Sequence, residues 1–422
     1  MTQLAFSDVP LSALAEGLTG SEILRISAEI TALKREGKQI CNLTVGDFSP
    51  AEFRIPQALE HAITEAYAAG QTNYPPSDGT IELRKAVVKF YEEEMGLHYP
   101  LESTLIAGGS RPIIYAAYAA CVDPGDKVVY PTPSWNNNHY TYLMRGQACE
   151  IVVGPEENFL PTAALLEPHI RNARLVAVCT PLNPTGTVMS RDEVEAIARL
   201  IVDENRRRRG TGERPLFLLW DQVYWTLTFG ESRHYAPPQL VPESAQYTIF
   251  VDGISKAFAA TGVRVGWTVA PPSITARMRD IIGHIGAWAP RAEQIATAWF
   301  LGQKDEIAKY HATMKRELQL RLDLLHDGLE AMQKDGLPVR AFSPQGAIYL
   351  SAQFDLIGRN GITTNDQIRH ILLDEAGFAV VPFQAFGSKK EDGWFRLSVG
   401  AVSADDIRNA LPRVREAIAK RA

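Results

Sequence analysis

The sequence has few cysteines and little excess charge, and each shortage excludes a class of protein. The four cysteines, Cys41, Cys121, Cys149 and Cys179, have neither metal-binding nor redox spacing, which predicts reduced thiols in a cytoplasmic protein. The formal net charge of −6 gives no electrostatic case for nucleic-acid or membrane partners. No apolar run approaches the roughly 20 residues that a membrane span needs.

Signals for secretion and repetition are also missing. The first ten residues lack a basic stretch followed by an apolar one, so we expect no signal peptide. No internal repeat or low-complexity tract is present. Four consecutive arginines at 206–209 lie near glycines and are predicted to form a solvated loop. The chain does have length, since 422 residues with 45% hydrophobic content can bury a large core in more than one domain.

Short apolar runs alternate with helical patterns between about residues 103 and 300, which predicts an α/β fold. Several runs are apolar on both faces, as in a mostly parallel seven-stranded sheet covered by helices. The candidate strands are 104–107, 127–130, 149–153, 175–179, 216–220, 248–251 and 264–269. We predict an N-terminal arm with part of a small domain at 1–50, a large domain at 51–304 and a small α+β domain at 305–422.

Glycines follow the first of these strands, at the edge where parallel sheets collect their ligands. Gly108, Gly109 and Ser110 precede a helix, and free N–H groups at a helix N-terminus bind phosphate. The spacing G-x-G-x-x-G is absent, so a dinucleotide loop is excluded. Arg111 is either a surface residue or a contact to phosphate or substrate.

A lysine follows the run 248–251 in a loop of small residues. In a cleft Lys256 would lose hydration, and its amine would become a nucleophile able to form a Schiff base. Arg264, eight residues on, is a permanent cation that could hold phosphate as a bidentate fork. Taken alone, the pair also fits a solvated lysine and a surface arginine.

Three further residues fit a site at the strand ends. Asp221 ends a strand, where a buried carboxylate needs a partner unless it only caps a loop. Trp135 follows another strand and either stacks on a flat heterocycle or fills the core. Arg396, between Phe395 and Leu397, points to the opposite face of its strand from both.

The order of these motifs resembles that of the class I/II aminotransferases, in fold-type I of the pyridoxal phosphate enzymes. The resemblance covers nearly the whole chain and implies a pyridoxal phosphate-dependent aminotransferase. Its motifs are Ser255-Lys256 followed by Gly262-Val263-Arg264-Val265-Gly266, Asn183-Pro184-Thr185-Gly186, the Tyr-x-x-x-x-Gly segment from Tyr74, Tyr224 after Asp221, and Phe-Arg-Leu-Ser around Arg396.

The resemblance implies a role for each matched residue. Lys256 would hold the cofactor as an internal Schiff base and move the substrate's proton, while Asp221 would stabilise the pyridinium. Asn183 and Tyr224 would hold the ring hydroxyl. The phosphate contacts implied are Ser110, Ser255 and Arg264, with Tyr74 from the partner of a homodimer. Trp135 would stack on the cofactor ring, and Gly109 and Arg111 are predicted as further cofactor contacts. The substrate contacts implied are Gly46, Trp135, Asn183 and Arg396, which would bind the α-carboxylate.

Substrate choice stays open in the sequence. We favour aspartate or aromatic donors with 2-oxoglutarate as acceptor. A dicarboxylate would need a second cation from Arg111, Arg291 or His284, and a bulky donor would suit Trp135, Trp225, Trp288 and Tyr349. The polar run 136–139 has no assigned role.

Two other functions are alternatives. A carbon–sulfur lyase, a decarboxylase or a cyclopropane-forming synthase would use the same cofactor site. An effector-sensing domain of a transcription regulator would need a DNA-binding segment, for which the roughly 20 residues before the first helix leave no room.

Overall fold

The computed structural model describes residues 9–422, so residues 1–8 of the predicted N-terminal arm lie outside the described part. The helices are α1 (Ala13–Glu16), α2 (Glu22–Arg35), α3 (Gln57–Ala68), α4 (Ile81–Met95), α5 (Ser110–Cys121), α6 (Asn137–Leu143), α7 (Ala163–Ile170), α8 (Arg191–Thr211), α9 (Pro237–Leu240), α10 (Ile254–Ala257), α11 (Pro272–Ile285), α12 (Arg291–Phe300), α13 (Lys304–Lys334), α14 (Asn365–Ala376) and α15 (Ala404–Ala419). The strands are β1 (Cys41–Asn42), β2 (Thr104–Ala107), β3 (Lys127–Thr132), β4 (Gln147–Val152), β5 (Ala173–Cys179), β6 (Phe217–Asp221), β7 (Thr248–Gly253), β8 (Gly266–Val269), β9 (Val339–Ala341), β10 (Tyr349–Phe354), β11 (Phe378–Ala379), β12 (Val381–Pro382) and β13 (Trp394–Ser398).

A seven-stranded sheet with the order β2-β8-β7-β6-β5-β3-β4 forms the centre of the molecule. The pairs from β7 to β4 are parallel, and only β8 runs antiparallel to its two neighbours. The predicted α/β fold with a mostly parallel seven-stranded sheet is confirmed. Both faces of the sheet are covered, so its strands are continuous apolar runs that can be recognised in the sequence. In β6, for example, Leu218 and Leu219 are fully or almost fully buried in cores on opposite faces.

A second layer of sheet packs with α13, α14 and α15. It contains the antiparallel order β12-β13-β10-β9 and a two-stranded parallel pair, β1 with β11. In that pair Cys41 lies opposite Phe378, so a strand from the N-terminal part of the chain pairs with one from the C-terminal part. The division of the chain at residues 50 and 304 remains a prediction.

The arginine run at 206–209 is helical, so the prediction of a solvated loop there is wrong. It forms the last part of α8, which ends at Gly212 with φ +73°. Arg208 is 2% exposed because it pairs with Glu204 at 2.6 Å and donates to the carbonyls of Ile170 and Ala173. The two carbonyls lie more than 30 residues away in sequence, so the sequence alone did not show that Arg208 points inward.

No helix among residues 9–422 has both the length and the apolar composition that are needed to cross a membrane.

Candidate active site

A cavity of about 470 Å³ opens beyond the carboxyl ends of the parallel strands. Three parts of the chain line it: the large sheet, the second layer of sheet and helix α2. The predicted site residues on its wall are Gly46, Ser110, Arg111, Trp135, Asn183, Asp221, Tyr224, Ser255, Lys256, Arg264 and Arg396. The motifs therefore meet around one space, although they are spread over the chain.

Lys256 lies in the short helix α10, which begins as β7 ends. Its Nζ donates to the carbonyl of Gly46 at 2.7 Å and lies 5.8 Å from the ring centre of Tyr224. Burial lowers the pKa of Lys256 to about 8, although the negative charge of Asp47 opposes the shift. Near neutral pH a useful fraction of this amine is therefore an uncharged nucleophile.

Asp221 is the last residue of β6 and is 9% exposed. Its Oδ1 accepts from the N–H of Val223 at 3.2 Å. Burial raises the pKa of Asp221 to about 7, and the Val223 N–H only partly offsets this. A cationic N–H brought into the cavity beside it would restore the ionised form.

Arg396 is fully buried in β13. Its Nη1 donates to Asn183 Oδ1 at 3.2 Å and its Nη2 donates to the Thr44 carbonyl at 2.6 Å. The guanidinium lies 4.8 Å from the ring centres of both Tyr349 and Phe386. Its Nε has no partner, and no carboxylate of the described residues pairs with it. A buried cation in this state calls for an anionic ligand.

The N-terminus of α5 forms a cradle with Arg264. Arg264 donates to the carbonyls of Thr261 and Gly108 at 2.6 and 2.8 Å. Gly109 has φ +94°, and a Cβ there would overlap the Arg264 guanidinium. Ser110 opens the helix behind it, so helix N–H groups, a hydroxyl and a guanidinium surround one corner of the cavity. This combination suits phosphate.

Arg111 adds an exposed cation on the same wall. Its guanidinium lies 5.3 Å from the ring centre of Trp135. Within residues 9–422 it forms no ion pair or hydrogen bond. Next to Trp135, the side chains of Asn136, Asn138 and His139 line a neighbouring cavity of about 430 Å³.

The sequence profile of the family "Aminotransferase class I and II" matches residues 38–414. The chain belongs to this family. It is 31% identical over 405 residues to an aspartate aminotransferase of Rhizobium meliloti, covering 94% of this chain and 93% of the relative. It is 30% identical over 410 residues to an aspartate/prephenate aminotransferase of Thermus thermophilus, covering 96% and 97%.

Solved structures agree with this assignment of the aminotransferase. The aspartate aminotransferase of Rhizobium meliloti superposes with a TM-score of 0.88 at 28% identity, covering 98% of this chain and 100% of that one. The Thermus thermophilus enzyme with maleate gives 0.86 at 28% identity, covering 97% and 100%. The protein is therefore a pyridoxal phosphate-dependent aminotransferase that acts on amino and 2-oxo acids.

The cavity of the aminotransferase fits pyridoxal phosphate. The cradle at Gly109 and Arg264 fits the phosphate, and the lowered pKa of Lys256 suits a nucleophilic amine. The raised pKa of Asp221 fits a buried carboxyl that has no cationic partner until a ring N–H binds beside it. The Nε–H of Arg396, which has no hydrogen-bond partner, is available as a donor to a substrate carboxylate.

Some residues of the aminotransferase's cavity escaped the sequence analysis. Asp47 lines the wall and acts on the charge of Lys256, while Thr44 supplies a carbonyl to Arg396. From α2, the side chains of Ile23, Leu24 and Ser27 also line it. The only signal in sequence was the strand-and-glycine segment ending at Gly46. That segment does not reveal which residues face inward.

Of the further residues predicted to select the substrate, four lie outside the cavity wall and one lies on it. Trp225 donates to Asp252 at 3.0 Å, Arg291 donates to Gln71 at 2.9 Å, and His284 is exposed. Trp288 packs edge-on against Tyr74, which is 82% exposed and does not line its own chain's cavity. Tyr349 is on the cavity wall.

Proposed function

We propose that this aminotransferase transfers the amino group of aspartate to 2-oxoglutarate. The proposal depends on one observation: a cavity that contains the Lys256 amine and the Asp221 carboxyl also holds the buried Arg396, which lacks an anionic partner. The names of the similar proteins support aspartate as the donor. The unpaired Arg111 supplies a second cation for a dicarboxylate.

Lys256 has the covalent and proton-transfer roles in this proposal. Bound pyridoxal phosphate supplies an electron sink for the charge left when the substrate's α-carbon loses its proton. The Lys256 amine would hold the cofactor covalently and, when free, would take the substrate's α-proton as a base and release it again as an acid. A pKa of about 8 suits both directions near neutral pH.

The other residues hold and orient. Asp221 would keep a proton on the cofactor's ring nitrogen, and Asn183 and Tyr224 would hold its ring hydroxyl. Trp135 would stack on the ring. Gly109, Ser110, Ser255 and Arg264 would hold the phosphate at the α5 cradle. Because Arg396 is held rigidly by Asn183 and Thr44, it fixes the α-carboxylate and so the bond to be broken.

A homodimer completes the proposed site. Tyr74 is exposed and does not line its own cavity, so we propose that it reaches the phosphate in the partner's cavity. We also propose that the enzyme works in the cytoplasm, with reduced thiols.

The half-reaction tests this function. The purified enzyme with bound cofactor is mixed with aspartate, glutamate, alanine, phenylalanine or tyrosine, without any oxo acid, and its visible absorbance is followed. We expect aspartate to convert the cofactor fastest to pyridoxamine phosphate, and Lys256→Ala to abolish the conversion. Release of pyruvate or ammonia without pyridoxamine phosphate would instead establish a lyase. Faster conversion by the aromatic donors would reject aspartate.

Arg111 offers a sharper test of the dicarboxylate assignment. Arg111→Gln should lower kcat/KM for aspartate roughly 10- to 100-fold, because it removes a charged hydrogen bond to the side-chain carboxylate, and should leave alanine almost unaffected. The exposed Arg171 serves as the matched control through Arg171→Gln. Equal losses for aspartate and alanine would place Arg111 at the phosphate.

A further inference from the structure

Two buried tyrosine hydroxyls meet on the cavity wall. The oxygens of Tyr224 and Tyr349 are 2.5 Å apart, and the two residues are 3% and 1% exposed. The rings pack edge to face with 5.5 Å between centres. Neither hydroxyl has another hydrogen-bond partner within residues 9–422. Each phenol carries one proton, so one hydroxyl donates to the other, and the acceptor keeps its own proton for a third group.

The surroundings make Tyr349 the better donor. Burial raises the pKa of both phenols. The Arg396 guanidinium lies 4.8 Å from the centre of the Tyr349 ring, and its charge is the second largest influence on Tyr349, where it lowers the pKa. On Tyr224 the same charge is the weakest influence. Since the more acidic phenol donates, the proton of Tyr224 is left free to point elsewhere in the cavity.

The other titratable groups that act on Tyr349 come from different elements. Cys179 at the end of β5 and Asp47 after β1 both raise its pKa, and each has less influence than Arg396. Gly46 leaves room for the hydroxyl, because a Cβ there would lie 3.0 Å from the Tyr349 oxygen. Arg396 is thus the dominant charge acting on Tyr349.

We propose that Tyr349 is a positioning residue, whose hydroxyl donates to Tyr224 and so directs the Tyr224 proton at the cofactor's ring oxygen. The inference rests on the proposed function, in which Tyr224 holds that oxygen. Tyr349 touches neither the cofactor nor the substrate in this role. Its hydroxyl donates a hydrogen bond to the Tyr224 oxygen, so the Tyr224 proton cannot point at Tyr349 and is available to the cofactor's ring oxygen.

The test reads the bound cofactor's colour as a function of pH. A hydrogen bond to the ring oxygen stabilises its anion, so losing that bond raises the pH at which the visible absorbance changes. We expect Tyr349→Phe to raise this apparent pKa by about one unit, and Tyr224→Phe to raise it by at least as much. Because Tyr349 acts only through Tyr224, the double variant should match Tyr224→Phe alone.

Buried Tyr130 lies outside the cavity and provides the control, Tyr130→Phe, which should leave the apparent pKa unchanged. An unchanged pKa in Tyr349→Phe, with a lower Tm, would show a packing role and overturn the proposal. An additive shift in the double variant would overturn it as well. The pH titration and the Tm can both be measured without transamination. If the wild-type enzyme shows the titration but converts no amino acid, the proposed function is rejected and the inference about Tyr349 is not.

Discussion

Asp221 shows how a single buried carboxyl couples stability to pH. Its pKa in the folded protein, about 7, lies above the usual 3.8, so the folded form binds the proton more tightly and ionisation opposes folding. In the cofactor-free protein, the tighter binding of this proton stabilises the folded form most below about pH 4, and the stabilisation is lost as the pH rises to 7. The Asp221→Asn variant cannot ionise.

Over that range we therefore expect the unfolding free energy of Asp221→Asn to rise relative to the wild type by on the order of 4 kcal/mol. Urea unfolding of the two cofactor-free proteins at several pH values measures the difference. In the holoenzyme the trend should disappear, because the cofactor's protonated ring nitrogen would pair with the carboxylate. A constant difference across the range without cofactor would show that Asp221 titrates normally.

Gly46 is a residue whose lack of a side chain matters for the site. An added Cβ would lie 3.0 Å from the Tyr349 hydroxyl and 3.3 Å from Arg396 Nη1. Gly46→Ala should therefore shift the carboxylate fork and lower kcat/KM for aspartate roughly tenfold. Steady-state kinetics measures this, with Gly210→Ala as control because a Cβ there meets nothing within 4 Å. Wild-type kinetics in Gly46→Ala would mean that the fork has room to adjust.

At the scale of elements, buried Asp252 ties the ends of β6 and β7 together. It is 1% exposed and accepts from Trp225 Nε1 at 3.0 Å, the Tyr91 hydroxyl at 3.1 Å and the Gly253 N–H at 2.7 Å. Trp225 follows Tyr224, and Asp252 precedes Lys256 by four residues. The network thus fixes the segments that carry Tyr224 and Lys256 relative to each other.

Trp225→Phe removes one of these donors and should destabilise the protein by roughly 1–3 kcal/mol. Thermal unfolding measures the loss, and Tyr91→Phe should act in the same direction. If neither variant changes Tm, the network does not stabilise the sheet edge.

Elements were predictable where their signal was local. The seven central strands could be predicted because each is a short apolar run, and Asp221 and Lys256 became site candidates because they end or follow such runs. The burial of Arg208 and the hydrogen bond that Arg396 donates to the Thr44 carbonyl depend on partners distant in sequence. The pairing of Tyr224 with Tyr349 has the same origin, since two layers of sheet bring the hydroxyls together.

At the scale of the whole molecule, the proposed dimer predicts complementation between two impaired chains when the cofactor is limiting. Lys256→Ala lacks the amine, and Tyr74→Ala lacks the contact proposed for the partner's cavity. In a mixed dimer, the cavity of the Tyr74→Ala chain keeps Lys256 and receives an intact Tyr74. Random reassociation of equal amounts should restore about a quarter of the sites.

Transaminase activity after co-refolding, compared with each variant refolded alone, measures this recovery. Cofactor affinity of the Tyr74→Ala homodimer should fall roughly tenfold. Absence of recovery, with a dimer present by sedimentation, would place Tyr74 in its own chain's site.

The parallel pairing of β1 with β11 sets an order of events during synthesis. Cys41 leaves the ribosome early and must wait for Phe378, and the carbonyl of Thr44 must wait for Arg396. The large sheet is complete at Val269 and can assemble while the remaining chain is still being made. The contact between Arg396 and Thr44 is therefore made last, so a nascent chain can build the cradle proposed for phosphate before it has the arginine proposed for the substrate.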